Sequence, residues 1–169
     1  MNRTNQTLSL LISLSLLCAS PCFTACAKKE AYADGIPCAE LADAAEDQIP
    51  VDFGYETFGG EHLRYYFEDT EAHDDVCLRY SARSEDINEF GILHAPDEAS
   101  CEEIRRLTEQ YVEQLRADQS AFIATYAPEE VPKLDRAEVR TFGNYTVYAI
   151  LDDDDRALFF ETIEKKLTQ

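Results

Sequence analysis

Basic residues are scarce in this sequence. It has 15 lysines and arginines against 34 aspartates and glutamates, which gives a formal net charge of −19 at pH 7. Proteins bind nucleic acid largely through basic side chains that release counterions from phosphates, so no nucleic-acid partner is expected. Anionic lipid headgroups would repel such a domain as well, so residence at a membrane would require a covalent anchor.

The sequence also lacks an apolar run long enough to cross a bilayer, which takes about 20 residues. Its most apolar stretch, Leu8–Leu17, follows Arg3 and has the length of a signal-peptide core. Phe23-Thr24-Ala25-Cys26 then places small residues directly before a cysteine, and this pattern resembles the lipobox of bacterial lipoproteins. It predicts a signal peptide over residues 1–25 and lipid attachment at Cys26.

The mature chain would then be tethered by residues 26–36, and residues 37–169 would form a single acidic domain. We expect this domain to be exported and anchored to the outer face of the cytoplasmic membrane. A secreted form is the alternative, because Ala25-Cys26-Ala27 also fits an ordinary signal-peptidase site and Phe23 stands where lipoboxes usually have leucine.

Three cysteines remain in the domain: Cys38, Cys77 and Cys101. Three thiols cannot all pair with one another, and the spacing does not choose which two would form a disulfide in an oxidising compartment. None belongs to a Cys-x-x-Cys pair or adjoins a basic run that would lower its pKa. Buried structural cysteines are therefore favoured over redox or catalytic thiols.

Hydrophobic periodicity predicts the order hairpin, helix, hairpin, helix, preceded by a helix between Pro37 and Pro50. The first hairpin turns at Ser84–Asp86 and the second at Gly143–Asn144. Asp97 is expected to cap a long helix that ends at Pro128. This helix has one apolar face, formed by Ile104, Leu107, Tyr111, Leu115, Phe122 and Tyr126.

These elements predict an α+β fold with a four-stranded, mainly antiparallel sheet and helices packed on one face. Two segments are less regular. Val51–Gly60 fits an ordered loop or a short strand, and Glu61–Glu68 could add a helical turn or two.

Four pieces of the chain carry a resemblance to a known family. They are the strand Asn88–Ile92, the long helix with Arg105, Arg106 and Tyr111, the exit Tyr126-Ala127-Pro128, and Phe142-Gly143-Asn144-Tyr145 continuing through Tyr148-Ala149-Ile150. Together they resemble a bacterial family called domain of unknown function 4358, which occurs in predicted lipoproteins of Clostridia-like bacteria. The resemblance covers about Asp75 to Leu167. It implies the same fold and location and carries no known activity.

No catalytic residue, metal ligand or cofactor site is predicted, because the sequence contains none of the motifs G-x-S-x-G, H-E-x-x-H, phosphate loop or dinucleotide fingerprint. The acidic run Asp152–Asp155 fits a helix start better than a calcium loop. The group Glu71, His73, Asp74 and Asp75 fits a solvated loop, since no second histidine lies nearby at ligand spacing. His62 and His94 are isolated in the sequence.

Four aromatic residues could form a binding surface, although such residues more often belong to the core: Tyr55, Phe58, Tyr65 and Tyr66. We therefore expect a non-catalytic module of the cell envelope that binds a protein, peptide or cationic ligand through its acidic or aromatic surface. The alternative is a small extracytoplasmic hydrolase or metal-dependent enzyme. It predicts a cleft that gathers two or more of the three histidines with neighbouring acids.

Overall fold

The computed structural model describes residues 32–58 and 72–169. Several predictions from the sequence fall outside the described residues. They concern the signal peptide, Cys26, the helical turns at Glu61–Glu68, and the side chains of His62, Tyr65, Tyr66 and Glu71. Over the described ranges the elements run in the order α1 (Cys38–Glu46), β1 (Tyr55–Thr57), β2 (Asp75–Ser81), β3 (Glu89–His94), α2 (Glu98–Tyr126), a 3-10 turn (Pro128–Glu130), α3 (Val131–Asp135), β4 (Glu138–Phe142), β5 (Tyr145–Ile150) and α4 (Asp153–Leu167).

The strands form one antiparallel sheet in the order β1-β2-β3-β5-β4. The α+β class is confirmed, but the sheet has five strands rather than four. The extra strand is β1, which lies in the segment that fits a loop or a short strand. Three residues are too few to show the alternation that marks a strand, so only pairing with β2 reveals it.

The prediction that the helices cover one face of the sheet is wrong. Phe90 and Ile92 of β3 pack in a core with α1 and α4, whereas Leu93 packs on the opposite face with α2 and α3. Every residue of β5 is buried. A strand that is covered on both faces has a nearly continuous apolar sequence instead of an alternating one, and Tyr145–Ile150 has such a sequence.

The long helix α2 begins as predicted, with Asp97 accepting a hydrogen bond from the Ser100 amide at 2.8 Å. Its last aromatic residues are not buried: Phe122 is 61% exposed and Tyr126 74%. The 29 residues of α2 extend about 43 Å, whereas a six-residue strand spans about 20 Å. The helix therefore extends beyond the sheet, which cannot cover all of its apolar face.

The acidic run Asp152–Asp155 lies at the start of α4 as predicted, but Asp152 makes no side-chain capping bond. Asp153 instead forms ion pairs, with Arg156 at 2.7 Å and with Arg136. The acids therefore stabilise the start of this helix by their interaction with its dipole and by ion pairs with neighbouring arginines.

Residues 32–36, which the sequence assigns to the tether, pack on the domain. The Ala33 amide donates to the Leu167 carbonyl at 2.6 Å, and the Tyr32 ring lies 5.7 Å from that of Phe142. The Tyr145 hydroxyl donates to the Ile36 carbonyl at 2.9 Å. Residues 32–36 are therefore held against the sheet and the end of α4.

Cys38, Cys77 and Cys101 are buried free thiols, and burial raises the pKa of each. This environment agrees with structural rather than reactive cysteines. Among residues 32–58 and 72–169, no helix combines the length and the apolar character needed to cross a membrane.

Candidate functional site

An open groove lies between the C-terminal half of α2 and the sheet, with a volume of about 260 Å³. Most of its lining is apolar, and Phe122 stands at its exposed rim, with its ring 4.7 Å from that of Tyr126. Phe58 also lines it and contacts the Tyr80 ring at 4.4 Å. The remaining apolar lining comes from Ile87, Leu115, Ile123, Leu134 and Ile150.

Two acidic side chains, Asp86 and Glu89, line this groove, and Glu89 is held by two tyrosine hydroxyls. The Tyr111 and Tyr148 hydroxyls both donate to its Oε1 atom, Tyr148 at 2.6 Å. Burial raises the pKa of the Glu89 carboxyl, and the two hydrogen bonds offset part of that rise. No described residue donates a hydrogen bond or forms an ion pair with the other oxygen, Oε2.

Strand alternation explains why a carboxylate lies on this apolar face. Glu89, Gly91 and Leu93 of β3 point to the same side of the sheet, towards α2. Tyr148 of β5 lies directly opposite Gly91, and the missing side chain there leaves room for the tyrosine ring. The backbone therefore places the Tyr148 hydroxyl within reach of Glu89.

The other acidic group of the groove, Asp86, has a cationic partner. Lys133 Nζ lies 3.1 Å from Asp86 Oδ1 and 2.8 Å from Glu130 Oε2, with its side chain only 8% exposed. Glu130 also accepts from the Ile87 amide at 3.1 Å. Asp86 is therefore neutralised within the fold, whereas Glu89 is not.

A second polar cluster joins the N-terminal segment to the sheet. His94 Nδ1 donates to Asp74 at 2.6 Å and Nε2 donates to Asp34 at 2.5 Å. Asn144 Nδ2 also donates to Asp34, at 3.3 Å. Because carboxylates only accept hydrogen bonds, both contacts require the doubly protonated imidazolium form of His94.

The His94 cluster has the composition of a catalytic dyad but not its geometry. A general base needs one ring nitrogen free for substrate, and both nitrogens of His94 are occupied by carboxylates. His73 adjoins Asp74 in sequence, but no contact brings it to this cluster, and His62 lies outside the described residues. Within the described ranges, no group of three or more His, Cys, Asp or Glu side chains could hold a metal ion.

We expect His94 to make the stability of the domain depend on pH. Burial alone would lower the His94 pKa, but hydrogen bonds to Asp34 and Asp74 outweigh it and raise the pKa above 6.5. The imidazolium therefore stabilises the fold fully below the unfolded-state pKa of about 6.5, and this contribution is lost as the pH rises through the higher folded-state pKa.

Urea unfolding between pH 5.5 and 9 gives the free energy of unfolding of the wild-type protein and of a His94→Gln variant. The difference between the two curves of free energy against pH measures the contribution of His94. Hydrogen exchange at the Ala33 amide reports separately whether the N-terminal segment detaches. The matched control is His73→Gln, which should retain the wild-type pH dependence. A wild-type curve parallel to that of His94→Gln would contradict the role of His94.

A family model described as "Domain of unknown function (DUF4358)" matches residues 55–151, more than half of the chain. The chain belongs to this family. The DUF4358 match begins at Tyr55 rather than near Asp75 and ends at Leu151, before α4. No curated protein and no solved structure matches the chain.

The groove lies wholly within the DUF4358 domain, since all the residues that line it fall between 55 and 151. The His94 cluster does not: Asp74 and His94 lie inside the matched range, but Asp34 lies outside it. The groove therefore lies within the part of this chain that matches the family, whereas the cluster joins that part to the preceding segment.

Two of the four predicted surface aromatics can be placed in the DUF4358 structure. Phe58 lines the groove, but Tyr55 lies on the opposite face, where its ring packs 5.1 Å from Phe90 and its hydroxyl is buried. Tyr65 and Tyr66 lie outside the described residues. The structure therefore brings only Phe58 of this set to the groove.

Sequence reasoning missed the Glu89, Tyr111 and Tyr148 triad. All three residues belong to segments that carry the DUF4358 resemblance, but they come from three separate elements. One signal was present: Glu89 shares a strand face with Gly91 and Leu93, so an acid stood on a face otherwise expected to be buried.

Proposed function

We propose that the chain is an exported lipoprotein, attached through Cys26 to the outer face of the cytoplasmic membrane, and that its DUF4358 domain is a non-catalytic binding module of the cell envelope. The groove beside α2 would receive a peptide segment of an envelope partner. The observation that carries this proposal is a mostly apolar groove with one carboxylate, Glu89, to which no residue of the described ranges supplies a cation.

Anchoring through Cys26 is supported by the sequence pattern and by the charge of the domain. A body with a net charge near −19 would be repelled by anionic headgroups, so it needs lipid to stay at the surface. The docked segment beginning at Tyr32 leaves only a short stretch after Cys26, which would hold the domain close to the membrane.

Substitution of Cys26 by alanine should move the protein from the membrane fraction to the medium and remove a lipid-sized mass. Cell fractionation and mass spectrometry of the intact protein measure both effects. Cys22→Ala is the matched control, because Cys22 lies within the predicted signal peptide and should leave anchoring unchanged. A wild-type protein found in the cytosol with its leader intact would overturn the proposed location.

The exposed end of α2 supports peptide binding at the groove. Phe122 and Tyr126 form an aromatic ridge next to a site lined by apolar side chains. Exposed aromatics of this kind are enriched among the residues that dominate protein interfaces, because they bury large areas and lose few rotamers. We expect Phe122→Ser to weaken capture of a peptide partner without disturbing the core.

A further inference from the structure

Among the described residues, Glu89 is the acidic group of the groove that has no cationic partner. Both of its hydrogen bonds reach Oε1, so Oε2 is available to a ligand. Asp86, the other carboxylate in the lining, is already paired with Lys133. The groove therefore combines an apolar lining with one unneutralised acceptor, fixed in position by Tyr111 and Tyr148.

We propose that this groove recognises a lysine or arginine side chain flanked by an apolar residue in a peptide partner, with Glu89 as the acceptor of the cation. The inference rests on the proposed binding function and names the chemistry of its partner. The charge of the ligand follows from the lining, since a cation can pair with the half-buried Glu89 carboxylate in a groove whose walls are mostly apolar. An anionic or neutral side chain would leave Glu89 desolvated and unpaired.

The size of the groove agrees with a side chain rather than a whole small-molecule ligand. Its volume of about 260 Å³ falls below the roughly 300–1,000 Å³ of pockets that enclose drug-sized molecules. The aliphatic stem of a lysine or arginine can pack along Leu115 and Ile123 while its charged end reaches Glu89. The Phe122 and Tyr126 ridge is then available to a neighbouring apolar residue.

The hydroxyls of Tyr111 and Tyr148 hold the Glu89 carboxylate in one orientation before a ligand binds. A carboxylate in an apolar groove could turn towards solvent, but donation from Tyr111 and Tyr148 holds Oε1 against the sheet. The Glu89 side chain therefore loses little rotamer entropy when a ligand binds, which favours affinity.

Three blocked peptides that differ at one position test the proposal on the mature protein at pH 7.5. They are acetyl-Ala-Phe-Lys-Leu-Ala-amide and the same peptide with norleucine or glutamate in place of lysine. Amide chemical shifts in NMR titrations locate the site and give the dissociation constants. We expect the lysine peptide to shift signals of residues 87–89 and 115–123 and to bind about tenfold more tightly than the norleucine peptide.

Glu89→Gln should abolish this tenfold preference, because glutamine keeps the size and the hydrogen bonds of glutamate but not its charge. The matched control is Glu103→Gln, which removes one exposed negative charge from α2 and should retain the preference within about twofold. Thermal unfolding confirms that each variant is folded. The comparison of peptides on the unaltered protein does not depend on any variant.

The outcomes separate the inference from the proposed function. Equal binding of the lysine and norleucine peptides at the groove would overturn the role of Glu89 while leaving a binding module. A preference that survives Glu89→Gln would assign it to general surface charge and would also overturn the inference. If none of the three peptides shifts groove signals, both the inference and the groove as a peptide site are overturned.

Discussion

Gly91→Ala is expected to destabilise the domain by about 3 kcal/mol. A Cβ atom at Gly91 would lie 2.2 Å from Tyr148 Cε1 and 2.4 Å from Leu78 Cδ2, far inside van der Waals contact. Both side chains are fully buried in the core beside α2, so neither can move aside without displacing its neighbours. The displaced Tyr148 ring would also carry its hydroxyl away from Glu89.

The sign of this effect is informative, because strand propensity alone predicts the opposite. Alanine is more favourable than glycine within a strand by about 0.5–1 kcal/mol, so stabilisation by Gly91→Ala would refute the close contact. Urea unfolding gives the free energy change. Adding Tyr148→Ala removes the closest contact, and the double variant should be less destabilised than the sum of the two single variants.

Lys133→Met should cost about 3–5 kcal/mol, because it leaves Asp86 and Glu130 buried without their cation. The Glu130 side chain is 12% exposed and that of Asp86 is 20% exposed, so water can replace the ammonium only poorly. The pKa of Asp86 is lowered by its contacts, with Asn88 and Lys133 as the favourable partners that outweigh burial. The network ties the loop before β3 to α3.

The control for charge removal is Lys166→Met, which removes an exposed lysine from the last turn of α4 and should lower the free energy of unfolding by at most about 1 kcal/mol.

The triple variant Asp86→Asn, Glu130→Gln and Lys133→Met should recover much of the lost stability. Its amides still accept the hydrogen bonds from the Asn88 and Ile87 backbones, and no buried charge remains. A triple variant less stable than Lys133→Met would contradict this explanation.

The sequence correctly predicted those helix ends and turns that depend only on neighbouring residues. Asp97 and Pro128 bounded α2 because a cap and a ring without an N–H act on adjacent residues. Gly143 marked the second hairpin because its positive φ of 61° is required at that turn position. The α+β class and the family followed from these elements and from short motifs.

The sites could not be derived in the same way, since their residues meet only through sheet pairing. His94 contacts Asp34 across 60 positions of the chain, and Tyr148 contacts Glu89 across 59. Neither pair leaves a periodic or spaced signal. The helices on both faces were missed for a related reason: a fully buried strand looks apolar, but its sequence does not say which helix covers which side.

The sequence by itself determined the strongly acidic character of this protein, the order of its helices and hairpins, and its membership of DUF4358, because composition, caps and turns depend on residues close together in the chain. Tertiary structure alone decided the fifth strand, the two-sided sheet and the groove with Glu89. Each of these arises where separate elements pack together, and packing selects neighbours by shape and burial rather than by distance along the chain.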